Sequence, residues 1–455
     1  MLSVAERAEP GLLTVSSSSD IHGSVVSDTL VRRNCSLHVR GNLVGSLTIE
    51  PGAKVVVEGS VDGKIFNKGG RLVVNNKGLA ACVTLDGPPE ALAGGILKIS
   101  LSALAANFEA LTKHTEAECA AVVKGNAYGC GIEPIAGALA RTGCKTFFVS
   151  NLPEAKRVRA VAPTSTIYVL NGLCSGSGPA FADVGARPVI NSAIEMAEWD
   201  AFVASSRWPG GYALNFDTGA SRLGLSMDDA QAFAPRIDRV DHGITLIMSR
   251  LDHADEPGHP TNDRQINLFR DIRRLYRGVA ASLANSAGIF SLNTKSHFDL
   301  VRAGAALFGV NPTPNFVNPM LPVLELQARI VQVRNLAPGE TIADHAGWIA
   351  KRPTRLALVS VGYADGYPRS ANGSAHRLQA IVGAHRCPVL GQPAMDLLAI
   401  DVTDLPDPTA ARFGAMATLL GAELGIDEVA AAARLPPREV LSHLGHRFHR
   451  IYFAI

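Results

Sequence analysis

The stretch AVVKGNAYGCG, Ala121 to Gly131, sets a lysine at the end of an apolar run, Cys119–Val123, that reads as a buried strand. A lysine at such a place is costly unless it is paired or does chemistry. A desolvated amine gives up its proton readily and can join covalently to an aldehyde cofactor. The competing account is a solvated strand end, the commoner fate of strand-terminal lysines.

The elements that must hold such groups can be traced along the chain. Its 455 residues exceed one ordinary core and imply two or three domains. With 47% hydrophobic and 18% charged residues it is globular and not disordered. A net charge of +2 gives no reason to expect nucleic acid or an acidic membrane surface as partner. No apolar run reaches transmembrane length, and the first residues lack a basic segment followed by a hydrophobic one, so a cytoplasmic location is expected. The seven cysteines are odd in number and form no CxxC pair, which fits free thiols in a reducing compartment.

Residues 1–20, with a serine run at Ser16–Ser19, read as a flexible tail. Residues 21–85 show short β-like bursts separated by glycines at 41, 45, 52, 59, 63 and 69. Such short strands suit stacked coils of a β-solenoid, although the alternation fits a plain antiparallel β domain equally well. Residues 86–95 read as a linker, broken by a Pro pair and a Gly pair. From 96 to 321 strand and helix alternate, with strands expected at Ala121–Val123, Thr146–Val149, Thr166–Leu170, Arg187–Ile190, Tyr212–Phe216, Gly243–Met248 and Arg302–Phe308. That rhythm predicts a parallel sheet closed as a (β/α)8 barrel, with chemistry at the carboxyl ends of its strands, where Lys124 falls. From 322 to 455 the alternation gives way to strands joined by turns, a mostly β domain. Asp427–Gly445 reads as helix–turn–helix without a basic recognition face, hence a packing element. His443, His446 and His449 have metal-like spacing but no nearby Cys or carboxylate companions, and no metal is expected.

The AVVKGNAYGCG segment is similar to the cofactor-lysine segment of the alanine racemases. NFDTGASRLGL (215–225), SLANSAGI (282–289), VRAGAALFG (301–309), VGYADGYPR (361–369) and GQPAMDLLAIDVT (391–403) resemble further motifs of that family, in the family's order. The resemblance covers roughly residues 96–455 and implies a pyridoxal-phosphate barrel followed by a β domain. It implies Lys124 and Tyr363 as opposing bases, with Tyr363 supplied by the partner subunit of a homodimer. It implies Tyr128, Ser286 and the backbone at Gly304–Ala305 around the phosphate, and Arg302 facing the pyridine nitrogen. It implies Arg222 near the cofactor hydroxyl and substrate carboxylate, with Met395 and Asp396 bordering that carboxylate from the partner. On residue types alone, Arg302 could equally form an ion pair with Asp299 or Asp217, and Tyr363 could be an ordinary strand tyrosine. Residues 21–85 resemble the polymer-forming β-helix domain of the bactofilins, which implies self-association.

Four positions depart from the family pattern. Asn215 stands where a modified lysine is common, Arg250 where a histidine backs the tyrosine, Ser282 where a histidine contacts Arg302, and His446 where a tyrosine meets the phosphate. His253 lies three residues beyond Arg250 and could compensate. The expected activity is interconversion of L- and D-alanine, a source of D-alanine for cell-wall peptide. The alternatives are a racemase of serine or of a broader amino-acid range, and a scaffold or filament protein with a catalytically weak barrel.

Overall fold

The computed structural model describes residues 2–3, 12–62, 65–67, 70–74, 82–86, 88, 90–208, 210–241, 243–342, 348–369 and 378–454. It divides into two compact units, Ala103–Pro322 and the combination of Met1–Ser102 with Val323–Ile455. Gly63 and Gly69 of the N-terminal glycine series, and Gly87 and Pro89 of the expected linker, lie outside the described residues.

The first unit is built on eight parallel strands whose sequence order around the sheet runs from Ala281–Ser282 back to Glu118–Val122 and on to Leu300–Ala303. The two outer strands meet through Asp299 N–H to Ala281 O at 3.0 Å and Arg302 N–H to Ala284 O at 3.0 Å, which closes the barrel. Strands such as Thr146–Val149 are buried at every residue, as expected when helices cover one face and the barrel interior fills the other. Alternate residues, including Ala120, Val122, Phe148, Tyr168, Val189, Ala213, Leu246 and Met248, form the inner core. Amphipathic helices Ile132–Arg141 and Pro260–Leu275 bury Ile135, Leu139, Ile266, Phe269 and Ile272. The expected strand Arg302–Phe308 is corrected: it ends at Ala303 and turns through Gly304 into a 3-10 segment, Ala305–Phe308. Gly304 has φ −127° and ψ −104°, a combination that leaves the strand region and redirects the chain.

In the other unit, residues 12–74 form parallel coils, not an antiparallel domain. Ser19 lies opposite Leu37 and Leu37 opposite Val55, a step of 18 residues per coil. The inward positions Val31, Ile49, Leu37, Val55, Val39 and Val57 make one apolar column. The segment expected to be a tail also joins the coils: Leu2–Ser3 lies parallel to Ser19–Asp20, and in Leu12–Val15 the side chains of Leu13 and Val15 pack on that column. Three glycines one coil apart permit backbone to lie on backbone: a Cβ at Gly41 would sit 2.1 Å from Gly23 O, and one at Gly59 would sit 1.7 Å from Gly41 O. Gly59→Ala is therefore expected to destabilise the coils by about 2 kcal/mol or more. Calorimetry of the full chain should show the lowest-temperature transition moving while that of the barrel stays.

The same unit holds a nine-stranded, mainly antiparallel sheet. Its members include Leu324–Leu336, Thr354–Val359, Leu398–Asp401 and His449–Ala454. Gly95–Ser100 lies between Leu324–Leu336 and His449–Ala454. Its Ile96, Leu97 and Ile99 are buried there, a partnership that no local pattern announces. The region read as helix–turn–helix forms Ile426–Ala433 and Pro437–His443, with Ile426, Val429, Ala430, Val440 and Leu441 buried as packing. The six thiols described are all free, and burial pushes Cys119 and Cys144 up to about 12. Among the described residues no helix is long and apolar enough to cross a membrane.

Candidate active site

Lys124 follows directly on the strand Glu118–Val122, at the carboxyl rim of the barrel, and is half-buried. The chain then makes a left-handed turn: Gly125, Asn126 and Ala127 have φ of 63°, 54° and 53°. Left-handed backbone at consecutive non-glycine residues is strained and needs support. Glu154 supplies it, accepting the Asn126 N–H at 3.0 Å and the Ser150 N–H at 2.8 Å. Asn126 Oδ1 in turn accepts the Ile132 N–H at 3.2 Å, tying the turn to the next helix. The lysine thus stands at the head of a turn braced by Glu154 and Asn126.

The same rim gathers a second corner. Ser286 opens the helix Ser286–Ser291, and its Oγ accepts the Gly304 N–H at 2.9 Å. Tyr128 packs 5.0 Å from the Phe308 ring, and a Cβ on Gly304 would fall 2.6 Å from its Oη. Only glycine leaves that hydroxyl its place. Arg302 is 7% exposed; it donates to Ser282 Oγ at 2.6 Å, to the Leu283 carbonyl at 3.3 Å and to the Ser249 carbonyl. Burial, and then Arg250, pulls its guanidinium down to about 9, which still leaves a cation at neutral pH. The ion-pair account of Arg302 does not hold: Asp299 pairs with Arg273 at 2.9 Å, and Asp217 accepts the N–H groups of Gly219, Ala220 and Ser221.

Arg222 is exposed on the 217–225 loop. Asn215, which cannot carry an anionic modification, donates to Asn191 Oδ1 at 2.9 Å and to the Leu223 carbonyl at 3.1 Å. It therefore sets this loop through backbone and not by charge. Ser282 contacts Arg302 as the family's histidine was expected to. Arg250 pairs with Asp252 at 3.6 Å. His446 is exposed, and buried His449 meets the Pro88 carbonyl at 2.8 Å, so the three C-terminal histidines do not converge.

Tyr363, Met395 and Asp396 belong to the other unit. Tyr363 opens a 3-10 turn, Tyr363–Asp365, and is 41% exposed with the Arg369 guanidinium 5.5 Å from its ring centre. Backbone bonds from Tyr363 N–H to Ala394 O and from Ala364 N–H to Met395 O, both 3.0 Å, join the turn to the 394–396 loop. Asp365, almost fully buried, accepts the Gly362 N–H at 2.8 Å. Burial pushes its carboxyl up, opposed by that N–H and by Arg447. Arg447 reaches Asp365 at 3.0 Å and Asp396 at 2.8 Å, so one guanidinium ties the tyrosine turn to the neighbouring loop. The sequence reading did not single out Arg447; the available signal was an aspartate inside GYADG that cannot be buried without a counter-cation.

A closed parallel barrel with a braced lysine and a buried arginine at its carboxyl rim, followed in the chain by an antiparallel β domain, places the molecule in the two-domain class of barrel racemases. The family described as "Alanine racemase, N-terminal domain" matches residues 99–312, and "Alanine racemase, C-terminal domain" matches 323–452. The chain belongs to the alanine racemase family. It is 48% identical over 362 residues to an alanine racemase of Methylobacterium sp. (strain 4-46), covering 79% of this chain and 98% of that one. It is 40% identical over 368 residues to a biosynthetic alanine racemase of Agrobacterium fabrum, covering 79% and 93%. Its fold is similar to that of the Bartonella henselae alanine racemase crystallised with covalently bound pyridoxal phosphate, with TM-score 0.74, 32% identity and coverage of 79% and 99%. These relatives favour neither a serine or broad-range racemase nor a scaffold with a weak barrel.

Proposed function

We propose that the protein interconverts L- and D-alanine with pyridoxal phosphate, Lys124 and Tyr363 acting on opposite faces of Cα. The reading rests above all on Lys124, held at the barrel rim on a turn that other residues brace. The cofactor fits the residues present. The Gly304 corner leaves room beside the Tyr128 hydroxyl, and the Ser286 hydroxyl and Ala305 N–H would offer donors for a phosphate, with the Gly304 N–H held by Ser286 Oγ beside them. Arg302, already satisfied by three oxygens, would face the ring nitrogen as a fixed cation that keeps its charge at neutral pH. When bound, the cofactor supplies the conjugated acceptor for the electron pair left when the Cα proton departs.

The Lys124 amine takes or returns the proton on one face, and the Tyr363 hydroxyl does so on the other. Arg222, on its loop pinned by Asn215, would hold the substrate carboxylate together with Met395 and Asp396 supplied by the partner subunit. Tyr363 would come from the partner of a homodimer, so each site would be complete only in the pair. Incubating the purified, cofactor-loaded protein with each L-amino acid, followed by chiral analysis, tests the reading. D-alanine should accumulate fastest, and an absence of any D-isomer would refute it.

Arg447 is expected to act as a positioning residue. Arg447→Ala should lower kcat roughly tenfold or more, by analogy with other supporting residues. It should also move the acid limb of the pH profile upward, since removing the cation lets the Asp365 carboxyl rise further. Arg447→Lys should restore part of both; a loss of stability with an unmoved profile would leave Arg447 a packing residue only.

We read the chain as an N-terminal β module, a catalytic barrel and a C-terminal β domain, working in the cytoplasm. The coils of the β module, which like bactofilin domains stack in parallel, would serve self-association. Deleting residues 1–85 should reduce the assembly to the dimer by sedimentation while turnover persists. An unchanged sedimentation coefficient would remove this role.

A further inference from the structure

We propose that His253, Glu256 and His259 form a binding site for a divalent transition-metal ion of the class that prefers imidazole nitrogen, such as zinc or nickel. The three residues lie on the loop leaving the barrel strand Ile244–Met248, and their ligand atoms all lie within 4.8 Å of one another. The loop's hydrogen bonds explain the gathering. Glu256 N–H donates to His253 O at 3.0 Å, His259 N–H to Glu256 O at 2.9 Å, and Asn262 N–H to His259 O at 3.0 Å. Three successive turns, each closed by one of these bonds, fold the loop back on itself and bring the three side chains together. The buried Asn262 side chain fastens the ladder, donating to the carbonyls of both His253 and Glu256 at 2.9 Å. The backbone arrangement is therefore built before any ion arrives.

The side chains suit a borderline metal. The two imidazoles stack with centres 3.8 Å apart and planes 14° apart. Glu256 is exposed with a carboxylate oxygen 3.9 Å from His253 Nδ1, ready to serve as the anionic third ligand. Asp252 is turned elsewhere, to Arg250 at 3.6 Å. Metal ligation uses the edge of an imidazole and not its face, so loading must turn the His253 ring out of the stack. That ring is 41% exposed and has room to turn. His259 Nδ1 accepts the Thr261 N–H at 3.3 Å, a long bond that ligation would exchange for a metal bond. Three protein ligands leave the remaining coordination positions to water.

The test uses the full chain, freed of metal by chelator dialysis and titrated with Zn2+ against a chromophoric zinc indicator. Wild type should bind one more equivalent per chain than His253→Gln/His259→Asn, or bind that equivalent roughly tenfold more tightly or better. Glu256→Gln should weaken the same equivalent by a smaller factor. Asparagine is a good helix cap, so His259→Asn should leave the Pro260–Leu275 helix intact. Should the double variant unfold, His253→Gln alone, which lies outside that cap, carries the comparison. Equal stoichiometry and affinity in wild type and variant would overturn the proposal, as would a wild type that takes up no Zn2+.

Discussion

Replacing Lys124 by alanine is expected to lower racemisation by about 10⁴-fold, the upper end of the range for a positioned acid/base group. The expectation has two physical sources. The amine can both hold the cofactor covalently and exchange a proton at Cα. The left-handed turn after it begins at a glycine and is braced by Glu154 and Asn126, bonds that the variant keeps. The turn should therefore persist in the variant, and the loss can be assigned to chemistry. Treating the cofactor-loaded parent with borohydride and mapping its peptides should leave a pyridoxyl tag on Lys124 and none in Lys124→Ala. A tag on another lysine, or near-full turnover by the variant, would remove this residue from the mechanism.

Tyr363→Phe is expected to lower interconversion by about 10³-fold, within the range for loss of one acid/base group. The ring is retained, and with it the contact with Arg369 and the backbone bonds to Ala394 and Met395. Only the hydroxyl is lost. If two bases serve two faces, Cα exchange with solvent deuterium should survive for the enantiomer whose proton faces Lys124 and should vanish for the other. Equal loss of exchange from both enantiomers would speak for a single base and against the assignment of Tyr363.

Much of the catalytic unit was legible because it is locally encoded. Parallel strands buried on both faces are continuous apolar runs, so Thr146–Val149 and Arg187–Ile190 announce themselves without knowledge of their neighbours. A lysine ending such a run is conspicuous for the same reason: burial of an amine demands an explanation that neighbours in sequence do not give. The barrel, the lysine and the following β domain were therefore readable from residue order.

Features that depend on partners distant in the chain were not. Alternation of apolar and polar residues is the same in an antiparallel hairpin and in a solenoid coil. What separates them is whether a strand bonds its neighbour or the strand one coil, 18 residues, away, as Ser19 does Leu37. Gly95–Ser100 follows the expected linker, and only its pairing with 324–328 and 449–453 shows which sheet it joins. Arg302 could have answered any nearby carboxylate; three-dimensional packing gave Asp299 to Arg273 and left Arg302 to oxygens from 249, 282 and 283. Arg447 meets Asp365 because the turn before the chain's last strand lies beside GYADG, its Gly445 N–H donating to Asp365 O at 2.9 Å. Burial and period are properties of short segments, whereas pairing between distant segments is chosen by the energy of the whole fold.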